Sequence, residues 1–331
     1  MRVELLSLVF AALCGLVVSQ TFPDPLNITG PFFFVHDPSL VQRQTDGKYF
    51  LFTTHDKAGI ITADNLAGPW TEVGSILPNN SSIPLPGRDD IWAPDVSYHN
   101  GQYYAYYSVS TFGSQDSGIG LATSYTMEPG SWFDHGLVIN STTGDNYNCI
   151  DPNLIVGLDG VPRLSFGSFW ADIFQVELAY NFQNVTSVPE QISFNSTAPQ
   201  AEEGSFVYKH GEYYYLFLSE GTCCGFNASN LPPPGDEYKV YVGRSISPAG
   251  PFVDAKGTPM TETGGTLVLA SHGNVYAPGG QGLYYDTTWE RDIFYYHYIP
   301  VESPDPYSDT WASLGLNGVD WSSGWPVLTS L

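Results

Sequence analysis

The sequence predicts an all-β protein, a five-bladed β-propeller, on three observations. A hairpin unit returns along the chain at steps of roughly 50 to 60 residues, within reach of one propeller blade per repeat. The return strand of each unit is rich in tyrosine, phenylalanine and β-branched residues, which suit a pleated sheet surface. No long amphipathic helical pattern stands out after the N-terminus, and 331 residues are ample for one large all-β core. Repeated hairpins of this length stack as radial sheets around a central channel.

The first unit runs from Val35 to His55. Asp37-Pro38 opens it, a short apolar strand follows, and Asp46-Gly47 makes a tight turn because glycine tolerates positive φ. Residues 48–54 return, a closing strand is expected around 70–73, and the blade ends near Leu77 before a Pro- and Ser-rich loop at 78–89. The second unit starts at Ala93-Pro94-Asp95, turns at 99–101 and returns along 102–108, with a third strand at 119–123. The third starts at Asp151-Pro152, turns at Asp159-Gly160 and returns along 161–168. The fourth starts at Glu203-Gly204, turns at His210-Gly211 and returns along 212–218, and its long insertion at 221–238 reads as a rim loop. A weaker fifth unit starts at Ala277-Pro278-Gly279, carries a tyrosine-rich strand at 293–298 and is expected to close with 318–325. No linker or second domain is visible, so residues 20–331 are expected to form a single five-bladed propeller domain.

In a propeller the first strand of each blade lines the channel, so acids at equivalent strand starts converge on one spot. Asp37, Asp95, Asp151 and Glu203 stand at four such starts. One Asp-Pro dipeptide alone reads as a turn acid before proline; its recurrence makes a candidate active site. Cleavage of a glycosidic bond takes two carboxyl groups, one ionised and one holding a proton. A third carboxylate beside the acid raises its pKa, because like charges disfavour double ionisation. Asp37, Asp151 and Glu203 fill these three roles. Glu203 matches the phase of the other acids better than Glu202, and Asp95 remains a fourth acid in phase. Trp92, just ahead of an inward strand, reads either as core or as a surface on which a sugar ring stacks, and Phe112 beside Gly113 and Ser114 reads as an exposed loop aromatic.

Composition bounds the partners and the compartment. Formal net charge is −23, from 34 acids against 11 bases, so a phosphate backbone is repelled and nucleic acid is not an expected partner. A neutral substrate is compatible with that balance. Arg2, an apolar run over 5–18 and the small Ser19 read as a secretory signal of residues 1–19, too short to span a bilayer comfortably. Secretion, with no membrane partner, is therefore expected. Seven sequons, at Asn27, Asn79, Asn80, Asn140, Asn184, Asn195 and Asn227, agree with an extracellular glycoprotein. With Cys14 in the signal, Cys149, Cys223 and Cys224 remain, an odd number. Cys223-Cys224 is a candidate vicinal disulfide and Cys149 a candidate buried thiol; no zinc-ligand spacing is present.

Six segments give a resemblance to a known family. They are 36–39 (HDPS), 92–95 (WAPD), 107–113 (YSVSTFG), 150–153 (IDPN), 167–170 (GSFW) and Glu203-Gly204, and together they resemble glycoside hydrolase family 43 over essentially the whole mature chain. The resemblance implies an inverting enzyme acting on a neutral arabinan polysaccharide within its α-1,5-linked chain. It implies Asp37 as general base, Glu203 as general acid and Asp151 as the residue that tunes and orients. It also implies that Trp92, Phe112, Gly113, Asn148 and Ser168 lie along the substrate cleft. Two departures are Cys149, where the family often has a small residue, and Ser205, where proline or alanine is common. The family often places a histidine like His297 beside a calcium or sodium ion in the channel. Calcium prefers oxygen ligands, so one histidine contributes only together with waters. A hydrogen-bonded core histidine is the alternative, and no cofactor is required for the chemistry.

Three functions stand beside one another at this stage. The first is a secreted, monomeric endo-arabinanase. The second is an exo-acting α-L-arabinofuranosidase or β-xylosidase on the same scaffold, separated from the first only by the course of the rim loops. The third is a propeller lectin, against which the retained acid–base set argues.

Overall fold

The computed structural model describes residues 21–197 and 201–331, so the expected signal segment lies outside the described residues. Five antiparallel four-stranded sheets form, each from four consecutive strands. Blade one contains β1 (Ser39–Gln42), β2 (Tyr49–Thr53), β3 (Gly59–Ala63) and β4 (Thr71–Ser75). Blade two contains β5 (Trp92–His99), β6 (Gln102–Val109), β7 (Ser117–Ser124) and β8 (Phe133–Ser141). Blade three contains β9 (Asn153–Val156), β10 (Pro162–Phe166), β11 (Ile173–Glu177) and β12 (Glu190–Ser193). Blade four contains β13 (Glu202–His210), β14 (Tyr213–Glu220), β15 (Lys239–Ser245) and β16 (Thr266–Leu269). Blade five contains β17 (Val275–Asp286), β18 (Arg291–Pro300), β19 (Ser313–Asp320) and β20 (Val327–Thr329). Among the described residues no helix is long and apolar enough to cross a membrane.

The second strand of each blade explains the aromatic wealth of the sequence. Successive residues of a strand face opposite sides, and in a propeller both sides meet another blade. In β2, Phe50 and Phe52 pack with Tyr103, Ala105 and Tyr107 of blade two, whereas Tyr49 and Leu51 pack with Ile293 and Tyr295 of blade five. All five residues of β2 are buried for that reason. Full burial of each such side chain stabilises the ring by about 1.5–3 kcal/mol. Among the described residues no strand is shared between the first and last blades. Instead the lead-in segment straps them: Leu26 N donates to Leu316 O at 2.8 Å, Val35 N to Ala312 O at 3.0 Å, and Asn317 Nδ2 to Asp24 O at 3.1 Å.

The expected close of blade five shifts in the structure. Residues 313–320 form the third strand and 327–329 the last, with Trp321 and Trp325 in the turn between them. Asp320 makes that turn by accepting from Ser322 N at 2.9 Å, and both tryptophans pack on Tyr215 of blade four. The cysteines follow their expected roles: Cys223 and Cys224 are bonded to each other, and Cys149 is a free buried thiol. Asn195 is only 6% exposed, which disfavours a glycan at that sequon.

The innermost strands start by a common backbone step. Ser39, Asp95, Asn153, Phe206 and Gly282 pair with equivalent residues of their neighbouring strands. Two residues before each, Asp37, Ala93, Asp151, Gly204 and Gly280 have φ of 45, 42, 55, 60 and 56°. This left-handed step is costly for residues with a Cβ, and it turns the chain from the rim into the channel. The four acids expected in phase therefore separate. Asp37 and Asp151 occupy the step itself, Glu203 stands one residue before it, and Asp95 two residues after.

Candidate active site

The position two residues beyond the step ties blades together. Ser39 Oγ accepts from Val96 N at 2.9 Å, Asp95 Oδ2 from Leu154 N at 2.9 Å, and Asn153 Oδ1 from Val207 N at 2.8 Å. Blades one to four are thus linked in series by one side chain each. Asp95 also accepts from Asn153 Nδ2 at 3.2 Å and is 7% exposed. Burial pushes its pKa up to about 6, against the two hydrogen bonds that lower it. Asp95 is a clamp between blades two and three, set below the channel mouth.

Asp37 lies at the mouth, with its side chain 24% exposed. Its Oδ2 accepts from Thr54 Oγ1 at 2.8 Å and meets His36 Nδ1 at 3.0 Å. Burial would raise its pKa, but the charge and hydrogen bond of His36, with His297 and Thr54, hold it well below the usual carboxylate range. His36 moves the opposite way: burial lowers its pKa, and Asp37 more than offsets this. The base candidate is therefore a carboxylate held in its ionised form by its contacts with His36 and Thr54.

Glu203 is 8% exposed and accepts from Ser168 Oγ at 2.5 Å. Burial raises its pKa; hydrogen bonds from Ser168 and Tyr238 oppose this, and the charge of Asp37 adds to it. Asp151 Oδ2 accepts from Gly204 N at 3.0 Å, and its own N–H donates to Ser108 Oγ at 3.0 Å. Burial, then the charges of Glu203 and Asp37, push Asp151 well above the carboxylate range. Asp151 and Glu203 thus act as a coupled pair that gives up its protons at higher pH than ordinary carboxyls do. Glu202 points elsewhere: its Oε2 accepts from Ser193 Oγ at 2.7 Å, at 2% exposure.

Blade five contributes space. A Cβ on Gly280 would lie 2.8 Å from Asp37 Oδ1 and 2.7 Å from His297 Nδ1, and one on Gly279 would meet the Tyr238 ring. Two glycines stand where another blade carries an acid, and so the fifth repeat is weak in sequence.

The expected cleft residues fall in different settings. Ser168 touches Glu203. Trp92 is half-buried, and its Nε1 donates to Asp90 Oδ2 at 3.3 Å. Phe112 is 86% exposed on the loop after β6, and Gly113 beside it has φ +77°. Asn148 is 3% exposed and accepts from Ser141 Oγ at 3.4 Å, so it supports the wall beside Asp151 from behind. His297 is 1% exposed, stacks on His36 with ring centroids 3.8 Å apart, and accepts Asp37 N at Nδ1 over 3.1 Å. Burial lowers its pKa well below the ordinary value, so the ring is neutral and its proton sits on Nε2, which is buried without a protein partner. His36, Asp37 and His297 bring their ligand atoms within 4.8 Å of one another. Two imidazoles and one carboxylate are a poor oxygen cage for calcium, and Nε2–H is a donor. The residues present do not fit a directly ligated calcium.

Sequence reasoning misses His36, Thr54 and Tyr238. His36 and Thr54 flank segments already singled out, and their signal is only adjacency. Tyr238 ends the blade-four insertion and reaches Glu203 through the course of that loop, for which the sequence carries no pattern.

Three carboxyls at one channel mouth, one held low and the other two raised as a coupled pair, on a propeller of five blades, define a glycoside hydrolase of the acid–base type. Residues 29–326 match the model of Glycosyl hydrolases family 43, and the chain belongs to that family. Arabinan endo-1,5-alpha-L-arabinosidase A of Aspergillus niger is 52% identical over 294 residues, covering 88% of this chain and 90% of that protein. Among solved structures, a GH43 endo-arabinanase from Bacillus licheniformis is similar with TM-score 0.80 and 34% identity, over 91% of this chain and 99% of the other. An exo-1,5-alpha-L-arabinanase from a bovine ruminal metagenomic library is similar with TM-score 0.81 and 34% identity, over 91% and 99%.

Proposed function

We propose that the protein is a secreted, monomeric endo-1,5-α-L-arabinanase that hydrolyses linear arabinan, as in pectin side chains, with inversion at the anomeric carbon. One observation carries the chemistry. His36 holds Asp37 ionised, whereas burial keeps a proton on the Glu203–Asp151 pair. In this reading Glu203 protonates the leaving oxygen as the glycosidic bond breaks. Asp37 takes a proton from a water that attacks the anomeric carbon from the other face. Asp151 supplies the second carboxyl of the proton-retaining pair and, through Gly204 N, fixes the strand start that carries Glu203. Asp37 and Glu203 come from blades one and four with blade five between them, which favours the wide spacing of about 6.5–9.5 Å that an inverting water needs.

The endo reading is supported by the name of the Aspergillus niger relative at 52% identity. An exo-acting enzyme is the second reading, and one observation favours it. Asp309 Oδ2, on the loop between β18 and β19, accepts from the backbone N–H groups of Gly225 and Phe226 in the blade-four insertion. The charge of Asp309 reaches His36, so the joined loops stand near Asp37, where they would narrow one side of the site. A calcium or sodium ion in the channel belongs to this reading only as a hydrated ion that meets His297 through water; elemental analysis of purified protein tests it.

Proton NMR of the first product from linear arabinan tests the mechanism: the β anomer is expected, and an initial α signal overturns inversion. Chromatography at early times tests the mode of action. Short oligosaccharides ahead of monosaccharide are expected, and monosaccharide alone would favour the exo reading.

A further inference from the structure

The turn between β2 and β3 has an uncommon backbone. His55, Asp56, Lys57 and Ala58 have φ of 69, 47, 63 and 59°, four consecutive left-handed residues without a glycine. Such a run is disfavoured for every L-residue with a Cβ, and strain of this kind collects where a side chain must be aimed. The turn is anchored at both edges of the site. Thr54 Oγ1, just before it, donates to Asp37 and accepts Ala93 N at 2.8 Å. His55 N donates to Ile91 O at 2.9 Å, next to Trp92.

Asp90 then joins the two side chains. Its Oδ1 meets His55 Nδ1 at 2.7 Å, and its Oδ2 accepts Trp92 Nε1 at 3.3 Å. The His55 side chain remains 48% exposed, with the Phe34 ring 5.5 Å from its own. A carboxylate at Nδ1 favours the tautomer with the proton there and leaves Nε2 as an acceptor. Nε2 makes no hydrogen bond among the described residues. An indole face and an imidazole acceptor, held by one carboxylate, match a sugar ring with its apolar face and its hydroxyls.

We propose that His55, oriented by Asp90, is a substrate-positioning residue: Nε2 accepts a hydrogen bond from a hydroxyl of the sugar unit that stacks on Trp92, beside the unit at Asp37. The inference rests on the arabinanase reading above and names a recognition contact within that site.

The test compares wild type with His55→Asn, His55→Phe and Asp90→Asn on linear arabinan, with melting curves for each. Asparagine tolerates left-handed backbone, so His55→Asn keeps the turn while shortening the side chain. Loss of one hydrogen bond corresponds to about a 2- to 12-fold weaker contact. KM is expected to rise by about that factor in both His55 variants, and less in Asp90→Asn, with kcat within about twofold of wild type. An unchanged KM in His55→Asn and His55→Phe, with wild-type melting, overturns the inference alone. A fall in kcat that follows the melting temperature, with KM unchanged, also overturns it, since the residue would then only hold the turn. Wild-type inactivity on arabinan overturns the arabinanase reading, and the inference with it.

Discussion

Gly204 N donates to Asp151 Oδ2 at 3.0 Å, so the residue that follows the proposed acid is held by the second carboxyl of its pair. That bond joins blade four to blade three at the channel mouth and couples geometry to ionisation. Asp151 and Glu203 are both raised, with burial as the leading cause for each. The second proton leaves a pair that already carries one negative charge.

When Glu203 holds the pair's proton, as general acid catalysis requires, Asp151 carries the charge, and Asp151→Asn removes it. The proton on Glu203 then leaves at lower pH, so the alkaline limb of kcat moves down in pH. The acid limb reports Asp37, which His36 holds low, and stays in place. A pH–rate profile of the variant against wild type checks this. An unmoved alkaline limb would mean that Asp151 orients groups and does not tune Glu203.

Gly280→Ala should damage the site more than the fold. Its Cβ would press within 2.8 Å of Asp37 Oδ1 and within 3.0 Å of Asp37 Cα, at a φ of +56°. The backbone cost is about 1–2 kcal/mol, whereas displacing the base by about an ångström costs roughly 10²-fold in kcat. Gly211→Ala is the control, with φ +57° and nothing within 4 Å. Gly211→Ala should show the backbone cost alone, Gly280→Ala a somewhat larger fall in melting temperature from its added contacts, and kcat should collapse in Gly280→Ala only.

These two glycines also show what the sequence can convey. Gly211 belongs to a hairpin turn, and such turns, with the tyrosine-rich strands after them, make the blades readable. Asp37 and Asp151 are readable because proline follows each at a repeated backbone step. Glu203 is less so, because it stands one residue off that step, and Asp95, which shares the composition of the site acids, serves as an interblade clamp. Gly279 and Gly280 carry no chemistry of their own, so their role appears only when Tyr238 and Asp37 are seen against them. Tyr238, His36 and Thr54 depend on loop paths and on contacts between blades, which no local pattern encodes.

Asp95→Asn should change how stability depends on pH. The folded pKa is raised to about 6 against an unfolded value of 3.8. Stability from this group is fully present below the unfolded pKa and is lost as pH rises through the folded one, because the buried side chain must then ionise. Asparagine cannot ionise, although its amide faces Asn153 Nδ2 and loses one hydrogen bond. The variant should melt below wild type near pH 4 and gain on it up to about pH 6, by at most about 3 kcal/mol. Parallel melting curves across that interval would show that Asp95 does not titrate there.

Asp37→Ala and Glu203→Ala separate the two halves of the chemistry. General acid or base assistance contributes about 10² to 10⁴-fold each, so both variants should lose most activity on linear arabinan. Their responses to the leaving group should differ. An aryl arabinofuranoside with an acidic phenol departs without a proton, so Glu203→Ala should recover much of its rate on that substrate. Asp37→Ala should not, because water must still be activated. A small anion such as azide, entering the space left by Asp37, should rescue that variant and yield the β-configured glycosyl azide, the product of attack from the base's side. Folding is checked by melting curves. The Ser168 hydroxyl, which donates to Glu203 at 2.5 Å, would lose its acceptor in Glu203→Ala, so a modest fall in stability is expected there. Rescue of Asp37→Ala by the good leaving group, with none for Glu203→Ala, would reverse the assignment of acid and base.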